Sequence, residues 1–184
     1  MKTLRAVLGI GASLLMLLVS APQQAAAVQI IPSVGITRSV DSDDTNKSVG
    51  LALRSSLIPS VRVLKAEIAG SYRSEEQFGG DLKLRMWPVT ASLLVSPVPA
   101  FYAGAGVGWY HTTFDYDEDL LIDDETKSEF GVHVGGGIIV PVAPRAGIEL
   151  GGRYVMMRDQ ESQLVPEKFD PDFWTLSLGL ALGF

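Results

Sequence analysis

A chain of 184 residues with 47% hydrophobic side chains has room for one domain, and its net charge of −6 lacks the basic surplus that nucleic acid selects. Cysteine is absent, which removes a disulfide framework, a thiolate nucleophile and a cysteine metal site from consideration.

The first element in chain order is a leader. Met1-Lys2-Thr3-Leu4-Arg5 opens it, an apolar stretch runs from Ala6 to Ala21, and Pro22 leads to Ala25-Ala26-Ala27. A basic start, a short apolar core and an Ala-x-Ala end describe a secretory signal peptide. The apolar run of about 16 residues is shorter than the roughly 20 a helix needs to cross a bilayer core. Cleavage is expected after Ala27, leaving one domain over residues 28–184 and, with Lys2 and Arg5 gone, taking the net charge from −6 to −8. Beyond Ala27 no apolar run is long enough for a membrane-spanning helix. A soluble periplasmic β-protein stays in competition with a membrane barrel.

Period-two alternation then dominates, which is the strand signal. Strand 1, near Val28 to Ser39, sets Ile30, Val34 and Ile36 against Gln29, Ser33, Gly35 and Thr37; strand 2 sets Val49, Leu51 and Leu53 against Gly50, Ala52 and Arg54. Strand 3 opposes Leu64, Ala66, Ile68 and Tyr72 to Lys65, Glu67, Ala69 and Ser71. Strand 4 begins with Leu82, Leu84 and Met86 against Lys83 and Arg85, then continues with Val89, Ala91, Leu93 and Val95 as the apolar set. A β-bulge is expected at Pro88, where that phase slips. Strand 5 puts Phe101, Ala103, Ala105, Val107 and Trp109 on one face and Tyr102, Gly104, Gly106, Gly108 and Tyr110 on the other. Strand 6 opposes Phe130, Val132, Val134 and Ile138 to Gly131, His133, Gly135 and Gly137, and strand 7 opposes Ile148, Leu150, Gly152 and Tyr154 to Glu149, Gly151 and Arg153. Strand 8 alternates Trp174, Leu176, Leu178, Leu180, Leu182 and Phe184 with small residues.

The connections alternate in length. Three are short and proline-marked, around Leu57 to Ser60, Ser96 to Pro99 and Pro141 to Pro144; four are longer and polar, around Asp41 to Lys47, Ser74 to Gly80, Phe114 to Lys127 and Arg158 to Asp172. Short turns on one rim and long loops on the other are the pattern of bacterial outer-membrane barrels. The expected fold is therefore all-β, an eight-stranded antiparallel up-and-down transmembrane barrel with both termini on the periplasmic side.

Aromatic placement favours lipid over a second sheet. Tyr72, Trp109, Phe130, Tyr154 and Trp174 fall near the long-loop rim of the apolar face, with Phe101 and Phe184 near the other rim, which is the double girdle of a membrane barrel. Parity sends Arg54, Lys65, Glu67, Lys83, Arg85, His133, Glu149 and Arg153 to the opposite face. In a closed barrel of eight strands that face fills with side chains, and these residues are expected to form an interior polar network that blocks a pore. The glycines of strands 5 and 6 would leave room for Tyr102, Tyr110 and His133.

Tyr102-Ala103-Gly104-Ala105-Gly106-Val107-Gly108-Trp109-Tyr110, Phe130 through Gly137 and the closing Leu-x-Leu-x-Leu-x-Phe resemble the opacity-type and OmpA-type outer-membrane β-barrel superfamily across the mature chain. The resemblance implies the fold and a bacterial outer-membrane location, with lipid and lipopolysaccharide as surroundings. It also implies that barrel-assembly machinery reads the strand ending in Phe184, and that surface or host ligands meet the outer loops. It transmits no single function, because members include adhesins, membrane-stabilising proteins and others of unassigned role.

Three motifs compete with bland readings. Gly104-x-Gly106-x-Gly108 superficially matches a nucleotide loop, but that loop needs a turn and a following helix, and here a strand continues. His111, beside Thr112, Thr113 and Asp115, is the one candidate for a catalytic group, as in lipid A deacylases or acyltransferases with rim sites; a serine nucleophile pattern is missing. Asp115, Asp117, Asp119, Asp123 and Asp124, with Glu118 and Glu125, are candidate divalent-metal ligands. They lack the spacing of an EF-hand, and a solvated acidic loop is the favoured reading. No cofactor is expected. The functional expectation is a non-enzymatic outer-membrane barrel with a structural or adhesin-like role, the rivals being a lipid A-modifying enzyme at His111 and a narrow channel of low conductance.

Overall fold

The computed structural model describes residues 28–40, 45–58, 61–77, 82–116, 125–157 and 171–183. The leader, Phe184 and the acidic residues Asp117, Asp119, Asp123 and Asp124 lie outside the described residues. The described chain forms β1 (Val28–Ser39), β2 (Thr45–Ile58), β3 (Val61–Gln77), β4 (Leu82–Val98), β5 (Phe101–Tyr116), β6 (Glu125–Ala143), β7 (Ala146–Met157) and β8 (Phe173–Gly183). Each strand pairs with its neighbours in sequence, and β8 closes on β1, so the sheet is a barrel.

Closure is staggered. The register leads from Gln29 through Arg54, Glu67, Ser92, Gly106, His133, Val155 and Phe173 back to β1 at Ser39, ten residues above its start. Such a stagger tilts the strands and gives an eight-stranded barrel an interior that side chains can fill. It also places Arg54 and Glu67 side by side while carrying Glu149 across the lumen to meet them.

The outer face is apolar: Val34, Leu51, Ile68, Leu93, Leu150 and Leu178 are each more than half exposed. A soluble fold would bury this set, whereas hydrocarbon accepts it. Shared hydrogen bonds along a closed sheet leave no free edge for lipid to face.

Each of the three short turns follows an irregular stretch of ladder, between Ser56 and Ile58, Val95 and Val98, and Pro141 and Ala143. Proline lacks the N–H a ladder needs, and Pro97 and Pro141 stand in two of these irregularities. The turn carbonyls of Ala100 and Arg145 accept hydrogen bonds from Ile139 and Gly183, tying the rim to adjacent strands.

The bulge expected at Pro88 is absent. β4 keeps one register with β5 from Leu82 to Val95, so Arg85, Trp87, Val89, Ala91, Leu93 and Val95 share the outer face, and Met86, Pro88, Thr90, Ser92 and Leu94 point inward. What breaks at Pro88 is the ladder to β3, which stops at Gly70 and Val89 and resumes at Arg73 and Met86 in the same register. The expected phase slip came from treating Met86 as lipid-facing, but the lumen has an apolar layer near that rim which takes it.

Candidate functional site

The lumen is stratified. Towards the short-turn rim, Ile31, Ile139 and Ala181 pack together with Ala52 and Tyr102. Towards the long-loop rim, Met86, Tyr110, Val155 and Phe173 pack with Met157, and the Tyr110 and Phe173 rings meet edge to face at 6.0 Å. Between these apolar layers lies a band of charge.

Alternation along β2 turns Arg54 inward between the outward Leu53 and Ser55, and the register sets Glu67 directly beside it. Arg54 donates through Nε and Nη2 to Glu67 Oε2 at 2.9 and 2.6 Å, and through Nη1 and Nη2 to Glu149 Oε2 and Oε1 at 2.8 and 3.0 Å. Arg153 donates to the other oxygen of Glu67 at 3.0 Å and to Thr90 Oγ1 at 3.1 Å. Tyr102 donates its hydroxyl proton to Glu149 Oε1 at 2.7 Å and places its ring 4.3 Å under the Arg54 guanidinium. Two guanidiniums thus meet two carboxylates. Charge-assisted forked hydrogen bonds offset the desolvation that an unpaired buried ion would suffer.

His133 is buried beside this band, with Ser92 Oγ 2.9 Å from its Nε2. The glycines give it clearance: a Cβ on Gly106 would lie 2.6 Å from His133 Nε2, and one on Gly137 would lie 2.6 Å from the Tyr102 hydroxyl. A cavity of about 130 Å³ in the lumen is lined by the charged band itself, by residues of both apolar layers and by small residues, among them Ser33, Gly50, Ser71 and Ser177. A polar space of this size has room for several waters. The Tyr110 hydroxyl and His133 Nδ1, buried and without a protein partner, border it.

Of the residues expected in the interior network, Arg54, Glu67, Glu149 and Arg153 are drawn into one cluster, His133 adjoins it, and Lys65 is half-buried below. The side chain of Lys83 is outside the described residues. Arg85 is a correction: it is exposed on the outer face, one alternation beyond Trp87, because β4 never changes phase. Sequence reasoning left Thr90, Ser92 and Tyr102 out of the network, although the phase read for this half of β4 and for β5 already turned all three inward.

On the outer face, Trp109 and Phe130 sit opposite each other with ring centroids 5.7 Å apart, Tyr154 pairs with Trp174, and Phe101 is exposed near the short-turn rim. The missed member is Trp87, 54% exposed and stacked on Tyr72 at 4.7 Å. His111 shares this face, and its Nδ1 lies 2.7 Å from Ser128 Oγ. Asp115 belongs to β5, with a side chain outside the described residues. Among the described residues no group of three His, Asp or Glu side chains is arranged to hold a metal ion.

A search of curated proteins finds no match. Among solved structures, the barrel is similar to Neisserial surface protein A, with a TM-score of 0.63 and 16% identity over 85% of this chain and 96% of that one. It is also similar to the outer membrane protein OprG of Pseudomonas aeruginosa, with a TM-score of 0.60 and 15% identity over 88% and 98%. Ail, the attachment invasion locus protein of Yersinia pestis, matches with a TM-score of 0.54 and 15% identity over 86% and 97%. At these identities the likeness is one of fold. The sequence profile described as outer membrane protein beta-barrel domain matches residues 11–184, so this chain belongs to that family of outer-membrane barrels.

Proposed function

We propose that the protein is a non-enzymatic barrel of the outer membrane whose long loops meet partners at the cell surface while its lumen passes no solute. The leader is removed after Ala27, the mature domain spans residues 28–184, both termini face the periplasm, and assembly machinery reads the C-terminal strand. The observation that carries the closed lumen is the charged band of Arg54, Glu67, Glu149 and Arg153, held between two apolar layers. An ion crossing it would displace hydrogen bonds already made on both carboxylates. Support for a surface role comes from Ail, an attachment invasion locus protein that has been seen in complex with the heparin analogue sucrose octasulfate.

Planar-bilayer recording on the purified barrel tests the lumen: the expected trace is that of the bare membrane, and stepwise conductance would instead favour the narrow-channel reading. Exchange of the long loops should change adhesion of whole cells to host or matrix surfaces while leaving insertion intact.

The contact between His111 and Ser128 is the one feature favouring a lipid-modifying enzyme. A serine nucleophile needs its histidine oriented by a third group. Among the described residues no carboxylate bonds the other imidazole nitrogen. His111→Ala is expected to leave the lipid A mass profile unchanged.

A further inference from the structure

Followed strand by strand, the outer face just below the long loops carries one distinctive side chain per strand. Tyr72 on β3 stacks on Trp87 on β4; Trp109 on β5 meets Phe130 on β6; Tyr154 on β7 lies directly opposite Trp174 on β8. The girdle should close through β1 and β2, and there the aromatic residues stop. Trp174 is opposite Arg38 on β1; directly opposite Arg38 on β2 is Thr45, and the next outward position towards the short turns is Lys47, paired with the outward Ile36 and diagonal to both Arg38 and Tyr72. Lys47 is exposed, and Arg38 is partly so.

An aromatic ring at this height is suited to the boundary between acyl chains and headgroups, where its body is in hydrocarbon and its polar edge is wet. A lysine or arginine at the same height buries its stem in the same boundary and carries its charge up to the phosphate layer. Two adjacent cations in place of rings therefore change what that sector of the barrel recognises. A ring is indifferent to the headgroup charge, whereas a cation at that height favours a headgroup bearing phosphate.

We infer that the β1–β2 sector of the girdle, centred on Arg38 and Lys47, is a binding site for the phosphate of a membrane lipid headgroup, so that one side of the barrel holds phosphorylated lipid while the remaining sectors are indifferent to it. This rests on the outer-membrane reading and deepens it. Asp41, Asp43 and Asp44 lie in the sequence segment joining these strands, and their carboxylates would compete with the phosphate for the two cations. A guanidinium with further donors after one ion pair can serve both.

The test uses the whole barrel, refolded into vesicles containing equal amounts of phosphorylated lipid A and its dephosphorylated form, with retained lipid counted by native mass spectrometry. Retention should favour the phosphorylated form in the unaltered protein. The double variant Arg38→Ser with Lys47→Ser should reduce that preference by about thirtyfold, the scale expected of two basic groups at an anionic lipid surface. Arg85→Ser, a cation on the same rim beside the aromatic sector, should leave it unchanged. Equal retention of both lipids, or an equal loss in the Arg85→Ser control, would overturn the site. Inorganic pyrophosphate added to the lipid-loaded barrel distinguishes the sources: displacement of lipid at low concentration would mean a free-phosphate site rather than a headgroup site. With Asp41, Asp43 and Asp44 replaced by Asn, retention should hold or rise; a fall would overturn direct contact in favour of carboxylates acting through a bridging ion. Heat-modified gel migration reports whether each variant still forms the barrel. Failure of the site leaves that migration intact, whereas failure of the outer-membrane reading abolishes retention of every lipid.

Discussion

Arg54 and Arg85 occupy the two environments this barrel offers a guanidinium. Arg54 is 2% exposed in mid-lumen, with donors on two carboxylates and a tyrosine ring beneath it. Arg85 is exposed on the outer face, one alternation nearer the long loops than Trp87. The same side chain is tolerated at mid-depth only because partners come from β3, β5 and β7 at once, and on the outside only because it stands beyond the aromatic level. Inside, position is set by pairing; outside, by height.

That contrast predicts graded costs. Removing one carboxylate from the lumen has the largest effect, because it strands charge that two arginines had shared: Glu67→Ala should cost about 3–5 kcal/mol by urea unfolding in lipid, while Arg85→Ala should shift the midpoint by no more than about 0.5 kcal/mol. Equal costs would erase the distinction between the two regions. Next, a cation forced onto the lipid face at mid-depth lacks those partners, so Ile68→Arg, at a position 61% exposed, is expected to lose about 2–4 kcal/mol in the same titration. A smaller loss of about 1–3 kcal/mol should follow Gly106→Ala, whose new methyl meets the Ala91 carbonyl oxygen and the His133 ring and overpacks the lumen; NMR of the His133 ring should report separation from Ser92. A smaller term still belongs to the aromatic rim, where a double-mutant cycle on Tyr72 and Trp87 should return a coupling of about 0.5–1.5 kcal/mol, and zero coupling would deny that the two rings act as a pair.

Much of the fold was legible because lipid and lumen impose opposite chemistries on alternate residues. Strand 8, with leucine at every outward position after Trp174, leaves one parity to choose. Strand 4 misled for the reason strand 8 did not: Met86 is apolar yet faces inward, joining Tyr110, Val155 and Phe173 in a layer of the lumen that hydropathy cannot distinguish from lipid-facing surface. The strands also run further than their apolar alternation, as β3 does to Gln77 and β5 to Tyr116, since backbone pairing continues past the point where the apolar period disappears. Charge on the inner face was readable by parity. The convergence of Arg54, Glu67 and Glu149 was not, because it depends on the ten-residue stagger that brings β7 level with β2 across the lumen. Trp87 was lost with the misread phase, and the break in the aromatic girdle at Arg38 and Lys47 becomes visible only when the register is followed round the closed sheet.

The most direct measurement follows β8 through the membrane. The chain contains no cysteine, so single nitroxide labels can be placed from Trp174 to Leu182 in otherwise unaltered protein in vesicles, and their collision rates with oxygen and with a water-soluble nickel chelate compared. Oxygen should dominate at Leu176, Leu178 and Leu180 and fall at Ser177, Gly179 and Ala181, a clean period of two. Loss of that alternation, or ready access of the chelate to Leu178, would mean that hydrocarbon does not cover the outer face.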